Sequence, residues 1–279
     1  MGVASHHSCD YFAARLFADA VADRSCGQGR ARALHGGLIG QAGLIRFVEE
    51  TGSTNADLAA SLRSASTPAE GDWLVARRQT AGKGRQGREW FDGEGNFMGS
   101  TVVPIRDGDP PPASLSFVAA LAVADAIHQS VEGTVRAELK WPNDVLVNRA
   151  KASGILLEMV ERSVVVGIGV NLARAPSLPD RETAALADFG RAPTVEVFAD
   201  ELASRFARYV TIWRDNGLGA VLRAFLDASI HQSGDRVRVH DADGSLIEGA
   251  FAGLDPSDGA LKLNLADGSE RVIRAGDIT

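Results

Sequence analysis

Three Asp-Gly pairs, Asp243-Gly244, Asp258-Gly259 and Asp267-Gly268, punctuate the last stretch of the chain. A two-residue hairpin turn needs positive φ at its centre, and Asp-Gly supplies it with little strain. Between and around the pairs stand short apolar runs: Val237 and Val239, Leu246 to Phe251, Leu261 to Leu265, and Val272-Ile273. Runs this short and this tightly bounded leave no room for a helix. The spacing predicts a β module over residues 230–279, a small barrel or sandwich of short strands.

Upstream, residues 43–229 mix two periodicities. Leu44–Glu50 alternates as a strand, and Thr54-Asn55-Ala56-Asp57 then opens a helix with a Thr cap and an acid three residues on. Strands are predicted over Trp73–Arg78 and Phe97–Val103, on either side of a polar, glycine-rich loop from Thr80 to Gly95. Pro110-Pro111-Pro112 leads into a long amphipathic helix over Ala113–Val131. Four strand-like runs follow, at Glu138–Trp141, Val145–Val147, Ile155–Val160 and Val164–Val170, and helices at Val195–Trp213 and Gly217–Leu226 close the segment. Strands joined by short turns, with helices grouped apart, predict an α+β fold with a mixed or mostly antiparallel sheet. Residues 1–42 read as an N-terminal extension, with one Ala-rich helix over Tyr11–Arg24 and a Gly/Arg-rich linker after it. A single helix cannot build a helix-turn-helix module.

Composition narrows the function. With 45% hydrophobic residues in 279, the chain has enough apolar surface to bury a core. No apolar run approaches the ~20 residues that span a bilayer, and no signal peptide opens the chain, so a soluble cytoplasmic protein is expected. A net charge of −7 argues against general nucleic-acid binding, which needs a basic face. Cys9 and Cys26 match no zinc or disulfide pattern, and the six histidines never fall at ligand spacing, so no metal site is read.

The chemistry concentrates in three places. Gln79-Thr80-Ala81-Gly82-Lys83-Gly84-Arg85-Gln86-Gly87-Arg88-Glu89-Trp90 contains G-x-G-x-x-G. A dinucleotide site needs a helix directly after the glycines, and Phe91-Asp92-Gly93-Glu94-Gly95 is none; a P-loop needs G-K-[ST], which the chain lacks. What remains is a flexible loop carrying Lys83, Arg85 and Arg88, suited to a phosphate ester or equally to a solvated turn. The second place is Lys140-Trp141-Pro142-Asn143-Asp144 followed by Lys151-Ala152-Ser153-Gly154. Asn143 and Asp144 stand at a tight corner between strands. The third is Val164 to Leu172, where Gly167 and Gly169 in a buried strand suggest close approach of a ligand or of backbone.

Together with Glu50-Thr51-Gly52-Ser53-Thr54-Asn55, these segments resemble the biotin protein ligases in order and spacing over about 130 residues, and the C-terminal β module agrees. The resemblance is to the ligase-only type, without a DNA-binding domain. It implies a catalytic domain over 43–229 with a class II aminoacyl-tRNA synthetase-like fold, a mixed sheet with flanking helices. An SH3-like β-barrel follows it. The implied activity is ATP-dependent: biotin becomes biotinyl-5′-AMP, and the biotinyl group passes to a lysine of a biotin carboxyl carrier domain. Mg2+ arrives with ATP, biotin is a substrate, no nucleic acid or membrane is involved, and the protein is a monomer or homodimer.

By the same resemblance, Arg85 and Lys151 contact the biotin carboxylate and the α-phosphate, and Arg88 holds the outer phosphates. Ser53, Thr54, Asn55 and Gln79 face the ureido head, with Gly82 and Gly154 giving backbone contacts. Lys83 stands where repressor-type members have Arg, and is a contact rather than an essential group. Trp90 and Asn171 border the adenine, Asn143 belongs to the nucleotide site, and Asp144 orients or deprotonates the acceptor amine. Two alternatives stay open: a lipoate–protein ligase or octanoyltransferase of the same fold, and a non-catalytic biotin- or nucleotide-binding protein.

Overall fold

Side chains alternate across a strand, so a sheet covered on both faces needs apolar residues at consecutive positions. The run Trp73-Leu74-Val75-Ala76 meets that demand: Trp73 and Val75 join the large core on one face, and Leu74 joins a smaller cluster on the other. The computed structural model describes residues 43–64, 68–131, 135–241 and 244–279. The expectations for residues 1–42, including the helix, the linker and both cysteines, concern residues outside these.

Seven strands form the first sheet: β1 (Ile45–Thr51), β2 (Trp73–Gln79), β3 (Phe97–Pro104), β4 (Ala137–Lys140), β5 (Asp144–Val147), β6 (Ala150–Val160) and β7 (Ser163–Val170). Their spatial order is β1-β2-β3-β7-β6-β5-β4, with β1 and β2 parallel and every other pair antiparallel. This is the mixed sheet expected. β6 starts five residues earlier than its apolar run, because Lys151 and Ser153 pair with β5 although they are polar.

Helix α1 (Thr54–Leu62) covers one face through Leu58 and Ala59 against Leu74, Val102 and Val165. Its N-cap is Ser53 rather than Thr54, and no side chain caps it; the Asp57 carboxylate accepts instead from Thr51 Oγ1 at 2.6 Å. Helices α2 (Leu115–Ser130) and α3 (Val195–Asp227) pack together on the other face. The amphipathic reading of α2 is corrected: Leu115, Phe117 and every residue from Val118 to Ile127 are buried. A helix held between a sheet and a second helix buries all round, and its alanines allow the close approach. Tyr209 donates to Asp125 at 2.9 Å and Trp213 to Ser114 at 2.8 Å, so the polar atoms between the helices are paired. Within α3, Gly217 breaks the helix at φ +75°, which separates the two helical stretches the sequence predicts.

The C-terminal strands β8 (Arg236–Asp241), β9 (Leu246–Leu254), β10 (Leu261–Asn264), β11 (Glu270–Ile273) and β12 (Gly276–Ile278) form an antiparallel sheet in the order β11-β10-β9-β8-β12. Gly244, Gly259 and Gly268 all take positive φ, as the Asp-Gly turns require. The module shares the main core: Gly259 lies against the Phe117 ring, and Trp141 donates to the Gly259 carbonyl at 3.1 Å.

Candidate active site

Beyond α1, the same sheet face changes character. Ser100 of β3, Gly154 of β6, and Gly167 and Gly169 of β7 stand side by side in the strand register. These small residues leave a floor, and the cavity above it measures about 760 Å³. Its walls are the start of α1, the Thr80–Gly95 loop, the corner at Asn143-Asp144, the 176–183 segment and Asp277 of β12. Every residue singled out from the sequence lines it: Ser53, Thr54, Asn55, Gln79, Gly82, Lys83, Arg85, Arg88, Trp90, Asn143, Asp144, Lys151, Gly154 and Asn171.

The glycine-rich loop folds back on itself. Gly84 N–H donates to the Arg88 carbonyl at 2.7 Å and Trp90 N–H to the Gly82 carbonyl at 3.0 Å, around a short turn at Arg85–Gly87. Asp92 closes its base by accepting from Gln79 N–H at 3.0 Å and from Arg78 Nε at 3.2 Å. The fold-back lays the Trp90 indole on the sheet, where a Cβ at Gly169 would overlap it. At Gly167 the space is taken by the Asn55 carboxamide. Two side chains of the protein thus approach these glycines closely, and both glycines also line the cavity.

Three cations surround the mouth. Arg85 Nη1 donates to Asn143 Oδ1 at 3.1 Å, to the Gly276 carbonyl at 3.3 Å and to Asp277 Oδ1 at 3.2 Å. Arg88 pairs with the other Asp277 oxygen at 3.3 Å. Lys151 donates to Asp144 Oδ1 at 2.6 Å. Asn143 Nδ2 donates to the Ile155 carbonyl at 2.6 Å, which locks its oxygen toward Arg85. Lys83 is exposed at the loop edge. Burial pushes the nearby Lys140 amine below its ordinary value, against the pull of Asp144 and with the push of Arg181 and Lys151.

Three buried polar atoms in the lining have no hydrogen-bond partner: Asn55 Nδ2, Trp90 Nε1 and Asn171 Oδ1. Buried polar atoms are usually paired, and these three exceptions all belong to side chains that line one cavity. Among the described residues no group of three or more His, Cys, Asp or Glu is placed to hold a metal ion. Several polar lining residues were not read from the sequence, Ser100, Arg181 and Asp277 among them. Ser100 is visible as a polar residue in an apolar strand; Arg181 and Asp277 carry no local signal, and Asp277 lies 192 residues from the arginine it pairs with.

A cation set suited to phosphate thus stands above a small-residue floor, on a mixed sheet with an appended β module. Residues 47–173 match the Biotin/lipoate A/B protein ligase family, and residues 233–279 match the Biotin protein ligase C terminal domain. A biotin–[acetyl-CoA-carboxylase] ligase of Paracoccus denitrificans is 38% identical over 243 residues, 83% of this chain and 98% of that protein. One from Mycobacterium tuberculosis is 35% identical over 255 residues, 88% of this chain and 94% of that protein. The solved biotin protein ligase of Aquifex aeolicus, in complex with biotin and ATP, superposes with a TM-score of 0.72 at 23% identity, covering 85% of this chain and 97% of that one. The chain belongs to the biotin protein ligase family.

Proposed function

We propose that this protein activates biotin with ATP and transfers the biotinyl group to a lysine of a carboxylase carrier domain. The observation that carries the reading is the convergence of Arg85, Arg88 and Lys151 on one cavity, whose lining residues also include three with a buried polar atom that lacks a partner. In the first step a carboxylate oxygen attacks the α-phosphorus and pyrophosphate leaves. Both reactants are anions, and Arg85 and Lys151 lower that barrier by standing where charge builds on the phosphoryl oxygens. Arg88, at the exposed rim, holds the outer phosphates. In the second step the carrier amine attacks the acyl carbon, the bond to phosphate breaks and AMP leaves. Asp144 serves both steps: its carboxylate holds Lys151, and its place at the cavity wall lets it orient the amine and take its proton.

Thr54 and Gln79 with Ser53, Asn55, Gly82 and Gly154 receive the ureido head, and Trp90, Asn143 and Asn171 border the adenylate. Mg2+ that enters with ATP supplies further charge neutralisation on the phosphates. The carboxylates nearest those cations, Asp144 and Asp277, are already in ion pairs, which fits an ion borne by the nucleotide. The catalytic unit is residues 43–229 and the appended module 230–279. Among the described residues no helix is long and apolar enough to cross a membrane. We read the protein as cytoplasmic, acting on its carrier as monomer or homodimer and without nucleic acid.

Pyrophosphate exchange into ATP, run without carrier and separately with biotin, lipoate and octanoate, tests the reading. Exchange with biotin alone is expected. Exchange with lipoate or octanoate would move the chain to the sister activities, and no exchange from folded protein would leave only a binding role.

A further inference from the structure

Arg85 and Arg88 belong to the glycine-rich loop, yet the acid that holds them comes from the other end of the chain. Side chains alternate along β12: Ile278 is buried in the shared core, so its neighbour Asp277 points the other way and lines the cavity. The strand that carries it is fixed. Asp277 pairs with His240 of β8, and a Cβ at Gly276 would overlap the His240 carbonyl. The Asp277 carboxylate divides between two cations, Oδ1 to Arg85 Nη1 at 3.2 Å and Oδ2 to Arg88 Nη1 at 3.3 Å. An acid that gives one oxygen to each of two guanidinium groups takes the place that two oxygens of a phosphate would take. Both contacts are longer than the about 2.7–2.9 Å of strong charge-assisted pairs, so the bridge is loose enough to exchange. Arg85 Nη1 has two protons for three acceptors: Asn143 Oδ1, the Gly276 carbonyl and this carboxylate. A phosphate that takes this nitrogen has to displace one of them. Asn143 is locked through its Nδ2 and the Gly276 carbonyl is backbone of a paired strand, which leaves the Asp277 side chain to swing away.

We propose that Asp277 is an internal competitor for anions: its carboxylate fills the position between Arg85 and Arg88 until the phosphates of a nucleotide displace it. The appended module thereby holds the loop arginines in place and at the same time opposes the ligand they receive. The inference rests on the reading above that phosphates meet these arginines, and adds to it an acid that works against their binding.

Calorimetric binding of ATP to the full chain, as wild type and as two variants, tests it. Asp277→Asn keeps the size of the side chain and an oxygen for Arg85 but removes the charge, and ATP is expected to bind about fivefold tighter or more. A variant that only loosened the fold would bind ATP more weakly, so the direction of the change separates the two roles. Asp180→Asn removes an equal charge from the same cavity wall, where Asp180 pairs with Arg181 and does not bridge the loop arginines. There the gain should stay within twofold. ATP affinity unchanged or reduced in Asp277→Asn would overturn the assignment. So would an equal gain in Asp180→Asn, which would mark a general field in place of a displaced acid. ATP binding to neither wild type nor Asp277→Asn would instead overturn the underlying functional reading.

Discussion

At the scale of single residues, the site is a set of ion pairs waiting for a better partner. Arg85 is held by Asn143, Gly276 and Asp277, and Lys151 by Asp144, so each cation is aimed before any phosphate arrives. Pre-aimed charge is what stabilises a developing anion without reorganisation. Arg85→Ala and Lys151→Ala should each lower biotin-dependent pyrophosphate exchange by about 10²–10³-fold, with thermal stability close to wild type. Exchange within a few-fold of wild type in either would remove that residue from the mechanism. Gly169→Ala is a steric test of a different kind, because its Cβ would overlap the Trp90 indole. Overpacking of this sort costs about 1–3 kcal/mol. Tryptophan fluorescence should show Trp90 displaced, and adenylate affinity should fall about tenfold or more. The cations and glycines of the site are legible as clusters within short motifs, whereas Ser53, Thr54, Asn55 and Asn171 are reached only through the family resemblance. Asp277 is reached in neither way, since a partner brought in by the last strand leaves no trace near residue 85.

At the scale of elements, periodicity located the strands well and misjudged the burial of α2. A run such as Val118–Ile127 reads the same whether one face or all faces are covered, and the partner helix that decides this comes some 80 residues later. The sequence reading starts a second helical stretch at Gly217, and the chain breaks at that residue, in a backbone region open almost only to glycine. A Cβ at Gly217 meets nothing within 4 Å, so the cost of Gly217→Ala is backbone strain alone. The variant should lose about 1–3 kcal/mol of stability, read as a melting point several degrees lower, with pyrophosphate exchange at 25 °C unchanged. The Thr80–Gly95 loop is held at its base by Asp92 and at its tip by ion pairs from Arg85 and Arg88 to Asp277. Cleavage within 80–95 under limited proteolysis should slow when biotin and ATP are added together, and Asp277→Asn should speed it in their absence. Equal cleavage rates with and without ligands would show that the loop does not close over them.

At the scale of the molecule, two sheets that the sequence separates share one core and one site. Trp141 and Phe117 reach the Gly259 turn, and Asp277 reaches the loop arginines, so the appended module is coupled to the cavity from two sides. That coupling has a pH signature. His231 sits at the junction, its ring 6.2 Å from that of Phe251, and burial, with the charge of Lys140 next, pushes its pKa below the ordinary value. His128, near the end of α2, accepts the Ala137 N–H at Nε2 at 3.1 Å, a bond only the neutral ring can make, and burial lowers its pKa too. The unfolded chain binds protons at both rings near pH 6.5, and the folded chain refuses them. Stability is therefore fully present above about pH 6.5 and falls as the pH drops below it, by at most about 1.4 kcal/mol per pH unit for each ring. Carboxylates held in ion pairs add a slope of the same sign at lower pH, so the histidine share is isolated by substitution. Melting temperatures measured from pH 7.5 to 5.5 should decline in the wild type and decline less in a His128→Gln/His231→Gln variant. If both proteins lose the same number of degrees over that interval, the buried rings do not carry the acid sensitivity, and the junction is held by its apolar contacts and the Trp141 hydrogen bond alone.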